Sequence, residues 1–237
     1  MANQYPRRHQ DQRQFVQFVF YQVDPAWRRL PREEREAGKR AAQAVIERFQ
    51  HEMILRTYTL IGVRGDCDFM LWAVSEELER FTALQAALLA TPLGGYLTRP
   101  YSYLAQTRRS IYVDKHVHEG QEGRRLRITP GTAKYLFVYP FVKTRAWYRL
   151  PLAERQQMMD VHIEVGHKYP SVRLNTTYSF GLDDQEFMLA FESDHPGDFV
   201  DLVMELRETQ ASEYTLRDTP IFTCIAVPAG EMLDLLG

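Results

Sequence analysis

WRRLPREER (residues 27–35) recurs 120 residues later as WYRLPLAER (residues 147–155), with six of nine positions identical. A repeat of this kind marks a duplicated unit. Each copy follows a run rich in Val, Phe and Tyr, Phe15 to Val23 and Tyr135 to Lys143, with the composition of a strand. Each then enters a helix whose start is marked by Pro31 or Pro151, expected in the first turn, with acidic residues close behind. A strand pair split by a turn comes next: TYTLIGVRGDCDFMLWAV (57–74) and TTYSFGLDDQEFMLAFES (176–193), each with Gly before an acidic turn and Phe-Met-Leu after it. A second helix follows, roughly Glu76 to Ala90 and Pro196 to Glu208, and a last strand closes each half. Both halves therefore read β-α-β-β-α-β, which predicts an α+β, duplicated ferredoxin-like fold with sheets side by side or back to back. The polar, Gly-containing segment TRRSIYVDKHVHEGQEGRRL (107–126) is the natural connection. The expected division is an N-terminal scaffold half (1–110), a linker (111–126) and a C-terminal half (127–237).

With 237 residues, 45% of them apolar, and a formal net charge of −2, the chain has enough apolar surface for one sizeable core or two small ones. It has no general basic field, and no Lys and Arg run interleaved with aromatics, so nucleic acid is not an expected partner. The polar start MANQYPRRHQDQRQ lacks the apolar stretch of a signal peptide, and no later window reaches the roughly 20 apolar residues of a membrane span. A cytoplasmic protein is expected. Cys67 and Cys224 are the only cysteines, which excludes a disulfide framework and a CxxCH haem attachment; both read as small core residues.

The polar chemistry is confined to the second half. Tyr139 has Val19 as its repeat mate, and Lys143 has Val23. Tyr139 and Lys143 lie four apart on a strand and share a face with Tyr135, Phe137 and Phe141. On such a face they are either core tyrosine and snorkelling lysine, or a carboxylate receptor beside an oxidisable phenol. Pro140 between them implies an edge or an irregularity. On the following helix His162 shares a face with Met158, Met159 and Val165. It is either a core histidine or an axial iron ligand, with Gly166 one turn on leaving room for something flat. Arg127, Arg207 and Ser212 are either surface residues, Arg207 being a favourable helix-end charge, or together complete an anion pocket, since guanidinium groups take carboxylates in a bidentate fork.

YPFVKT, WYRLP, MMDVHIEVGHKYP and SFGLDDQEF, in this order and spacing, resemble the chlorite dismutase superfamily, and within it the coproheme decarboxylase branch. The resemblance is carried by these motifs from Tyr112 to Ile221 and by the fold pattern over the first half. It implies a ring-shaped homopentamer and non-covalent haem b or Fe-coproporphyrin III (coproheme) in the C-terminal half. It makes His162 the iron ligand, Tyr139 the redox tyrosine of a YP-x-x-K motif, and Lys143 the lysine assisting a propionate. Arg207 and Ser212 fall at the spacing of propionate-binding residues, with Arg127 and Tyr112 as further contacts.

The distal side separates the branches. Chlorite dismutases place an arginine seven residues before the glycine matching Gly181, and here Leu174 stands there. Arg173 is one residue away, which on a strand is the opposite face. An apolar residue at this position resembles the actinobacterial decarboxylases, which implies a distal histidine, matched by His116 in YVDKHVH; His118 shares its parity. An imidazole suits deprotonation of peroxide because it titrates near neutrality. The resemblance thus implies hydrogen peroxide-dependent conversion of coproheme, the porphyrin substrate, to haem b. A haem b chlorite dismutase-like peroxidase, or a haem-binding protein without turnover, are the alternatives.

Overall fold

The computed structural model describes residues 13–112 and 127–237, and His116 and His118 lie outside the described residues. The chain runs β1 (Phe15–Val23), α1 (Arg32–Glu52), β2 (Ile54–Thr59), β3 (Phe69–Ser75), α2 (Glu79–Leu89) and β4 (Leu97–Gln106) in the first half. The second half runs β5 (Tyr135–Lys143), α3 (Arg145–Arg149), α4 (Leu152–His167), β6 (Arg173–Tyr178), β7 (Phe187–Ser193), α5 (Pro196–Glu208), β8 (Thr215–Arg217), β9 (Phe222–Ala226) and α6 (Ala229–Asp234). Short 3-10 turns occupy Trp27–Arg29, Leu93–Tyr96 and Gln210–Tyr214.

The α+β duplicated ferredoxin-like fold is present, with strand orders β4-β1-β3-β2 and β9-β5-β7-β6. The two sheets are neither merely adjacent nor stacked. They join edge to edge through β4–β6 (Gln106 opposite Tyr178) and β2–β9 (Tyr58 opposite Ala226, Thr59 opposite Ile225) and close into one antiparallel barrel. Closure pairs the edges that each half alone would leave open. The short β8 adds to the end of β5 at Val142 and Lys143.

The period-2 alternation of the strands makes two cores. Val16, Phe18, Phe20, Met70, Trp72, Leu136, Val138, Ala190 and Phe222 fill the barrel, together with the buried free thiols Cys67 and Cys224. On the outer face, Val19, Tyr21 and Val23 pack with α1, α2 and α6, while Phe137, Tyr139 and Phe191 pack with Val165 of α4 and Phe199 and Leu202 of α5.

The duplication extends to the backbone. Pro31 and Pro151 both have φ −52° and ψ 145°, and are N-caps just outside their helices rather than first-turn residues. The extended ψ prevents either from joining the helix. Leu30 and Leu150, each preceding a proline, take the extended geometry that the ring imposes, ψ 153° and 144°. Gly62 and Gly181 turn the paired hairpins at φ 79° and 74°, a region that side chains disfavour.

Candidate functional site

Comparing the two halves position by position shows what the second has acquired. Val19, Val23, Ala42 and Ile46 all lie in one buried cluster between the sheet and α1. Their mates at the 120-residue offset are Tyr139, Lys143, His162 and Gly166. A packed apolar core in the first half has become a phenol, an amine, an imidazole and a glycine. A Cβ on Gly166 would meet nothing within 4 Å, so the volume that Ile46 fills in the first half is open beside His162 in the second.

Tyr139 is 7% exposed, and its ring stacks on Phe191 of the neighbouring strand, centroids 5.8 Å apart. Burial pushes its phenol well above the usual range, Asp218 adds to this, and Arg207 opposes it. The group stays protonated at neutral pH.

Lys143 is buried at 8% exposure. Its Nζ donates to the Ala211 carbonyl at 2.6 Å and stands 4.6 Å from the centre of the Trp147 ring. Burial lowers the ammonium to about 8, and a carboxylate beside it would favour the charged form. Its backbone N–H donates to Glu186 at 2.9 Å. Glu186 also accepts from the Tyr148 hydroxyl and from Arg145, which fixes the turn carrying Trp147.

His162 lies on α4 between Met158, packed on Trp147, and Val165, packed near Tyr139. Burial, with the charge of Lys143 as a smaller cause, lowers the imidazole to about 4. It is therefore neutral at pH 7, and its buried Nδ1 has no hydrogen-bond partner among the described residues. A neutral imidazole whose buried Nδ1 has no partner among the described residues, with open space one turn on at Gly166, could hold a porphyrin iron.

The other expected residues divide. Arg207, at the end of α5, pairs with Asp218 at 2.6 Å, and the Ser212 hydroxyl donates to the Arg207 carbonyl at 2.6 Å. Arg207 is near enough to act on the Tyr139 phenol, and Ser212 follows Ala211, whose carbonyl takes the Lys143 ammonium. Tyr112 joins the Trp147 cluster, with Arg155 Nη1 donating to its hydroxyl at 3.3 Å and Gln156 to its carbonyl at 3.0 Å. Leu174 pairs with Phe191 on the outer face and is 45% exposed. Arg173 pairs with Glu192 on the other face and reaches the Thr129 carbonyl. Arg127 is not drawn into this cluster: its ion pair, 2.6 Å, is with Glu76 of the first half, because neighbouring Ile128 is anchored in the barrel interior.

Glu186 and Asp218 escaped the reading of the sequence. Glu186 could have been found from the repeat, since it stands before Phe-Met-Leu just as Asp68 does. Asp218 lies in an irregular loop and has no such signal. A cavity of about 290 Å³ opens between α4 and Gln210 beside Met158 and Val161. A smaller one, about 130 Å³, lies near Pro140 and Arg217.

A duplicated ferredoxin-like barrel with a phenol, an amine and an imidazole set into the outer face of one half is the architecture of a known family. The chain belongs to the chlorite dismutase family, whose model matches residues 10–227. It is 35% identical over 167 residues, 70% of each chain, to the coproheme decarboxylase of Mycolicibacterium smegmatis. A relative from Haloquadratum walsbyi that is named for heme binding is 28% identical over 225 residues, covering 85% of this chain and 42% of that longer one. The chlorite dismutase of Candidatus Nitrospira defluvii, solved in complex with imidazole, superposes with a TM-score of 0.84 over 94% of each chain at 23% identity, which speaks to the fold alone. Among the described residues, no helix is long and apolar enough to cross a membrane.

Proposed function

We propose that the protein is a coproheme decarboxylase, converting two propionates of Fe-coproporphyrin III to vinyl groups at the expense of hydrogen peroxide. The observation that carries this is the gathering of Tyr139, Lys143 and His162 where the first half has Val19, Val23 and Ala42. The 35% identical relative supports the reaction class. For each propionate the balance is R–CH2CH2–COO⁻ + H2O2 + H⁺ giving R–CH=CH2 + CO2 + 2 H2O.

The substrate iron, once oxidised by peroxide, supplies the one-electron oxidising power. His162 offers a neutral nitrogen to that iron. Tyr139 gives up an electron and its phenolic proton, and as a radical takes hydrogen from the propionate side chain. Lys143 holds the carboxylate that leaves as carbon dioxide. Arg207, Ser212 and Tyr112 receive carboxylates that remain, and His116 takes the proton of peroxide. The C-terminal half (127–237) is the working half, the first (1–110) its scaffold, and a homopentamer belongs to the same reading.

Leu174, where chlorite dismutases carry arginine, disfavours chlorite decomposition. The relative named for heme binding supports a second reading, porphyrin binding without turnover. Tyr139→Phe separates the two. The variant should bind ferric coproheme and yield no haem b by chromatography after peroxide; undiminished haem b formation would remove Tyr139 from the mechanism.

A further inference from the structure

The expected carboxylate receptor Arg207 already holds a carboxylate. Its Nη2 lies 2.6 Å from Oδ2 of Asp218, with side chains 59% and 26% exposed. The register of β5 explains how Asp218 arrives there. Val142 pairs with Arg217 and Val138 with Phe222, so residues 218–221 pass alongside Tyr139, Pro140 and Phe141 without ladder pairing. Pro140 has no N–H, so the neighbouring chain leaves the ladder here without stranding a donor. Asp218 is thereby free to meet the end of α5.

The pair is not inherited from the duplication. Aligning Phe81, Leu84 and Tyr96 with Phe199, Leu202 and Tyr214 gives Arg207 and Asp218 the mates Leu89 and Pro100. Scaffold stability in the first half is reached without it. The unpaired stretch that carries Asp218 runs alongside Tyr139, and Asp218 and Arg207 act on the Tyr139 phenol in opposite directions. Guanidinium and carboxylate in such an exposed pair bind weakly and exchange readily.

We infer that Asp218 is a carboxylate placeholder: before porphyrin binds it occupies Arg207, and a porphyrin propionate enters that corner by exchanging with it. This rests on the reading of Arg207 as a propionate receptor. Asp218 thus limits affinity and restricts that corner to ligands with a carboxylate to offer in exchange.

The test is a double-mutant cycle of Asp218→Asn and Arg207→Gln, read by Soret titration of each full-length protein with ferric coproporphyrin III. Asp218→Ser serves as a second variant should the first fold poorly. Removing Asp218 should tighten binding threefold or more, and the gain should vanish in the Arg207→Gln background. For the tetramethyl ester of the same porphyrin, Asp218→Asn should change nothing. Weaker or unchanged coproheme binding in Asp218→Asn, or a gain that persists without Arg207, overturns the placeholder while leaving the decarboxylase reading intact. A wild-type protein that binds no ferric coproporphyrin removes both.

Discussion

The backbone N–H of Lys143 donates to Oε2 of Glu186 at 2.9 Å, and at the matching place in the first half Val23 donates to Oδ2 of Asp68 at 2.7 Å. One latch, written twice, fixes the end of each half's opening strand. In the second copy the carboxylate is longer by one methylene and also takes the Tyr148 hydroxyl and Arg145. The group that holds the strand thus also holds the turn that seats Lys143 against Trp147.

Glu186→Ala leaves the Lys143 N–H and the Tyr148 hydroxyl without their acceptor in a buried setting, which should cost about 3 kcal/mol. Asp68→Ala should cost less, having fewer side-chain donors to strand. Urea denaturation of both variants checks the order, and a Glu186→Ala loss below that of Asp68→Ala would mean the added contacts do not contribute.

Gly166→Ile restores the residue that the first half carries as Ile46. Nothing lies within 4 Å of the added Cβ, and the helix gains about 0.5 kcal/mol in propensity, so stability should hold or rise slightly. Coproheme uptake should fall at least tenfold, measured by Soret titration. Unchanged uptake would show that the space beside His162 is not where the porphyrin goes.

Stability should fall on mild acidification because of His162. Its folded value of about 4 lies below the unfolded 6.5, so between these limits the unfolded chain binds more protons and stability rises with pH. The contribution should be flat above about pH 6.5 and decline by on the order of 2–3 kcal/mol toward pH 4. His162→Gln should remove this component of the slope in denaturation series run across the window.

Lys143 should give coproheme binding an alkaline limb. The amine loses its proton above about 8, and a carboxylate on it favours the charged form, so binding takes up a proton there. The dissociation constant should then rise with pH, by at most about tenfold per unit for a single proton. Lys143→Met should bind more weakly and lack this limb.

Much of the fold was legible because its signals are local. The proline-led helices, the two glycine turns and the Val- and Phe-rich strands could be read in each half, and the repeat confirmed one half by the other. Barrel closure was not legible, since its seams rest on the single pair Gln106 with Tyr178 and the two pairs Tyr58 with Ala226 and Thr59 with Ile225. So few pairings leave no pattern in sequence. Tyr139 and Lys143 could be grouped by strand period and His162 by helical period. Asp218 could not, because it meets Arg207 from a stretch that follows neither period. Arg127 reads as a site residue from its charge at a strand start and from the family resemblance, whereas its ion pair is with Glu76 of the first half, a long-range contact with no local signal.

The central claim is met most directly by mixing the purified protein with ferric coproheme, adding peroxide in small equivalents, and following the porphyrin by mass spectrometry. Stepwise loss of two carboxyl groups, each removing the mass of CO2 and two hydrogens and ending at haem b, is the predicted result. Tight binding with no change in porphyrin mass, or bleaching alone, would contradict it.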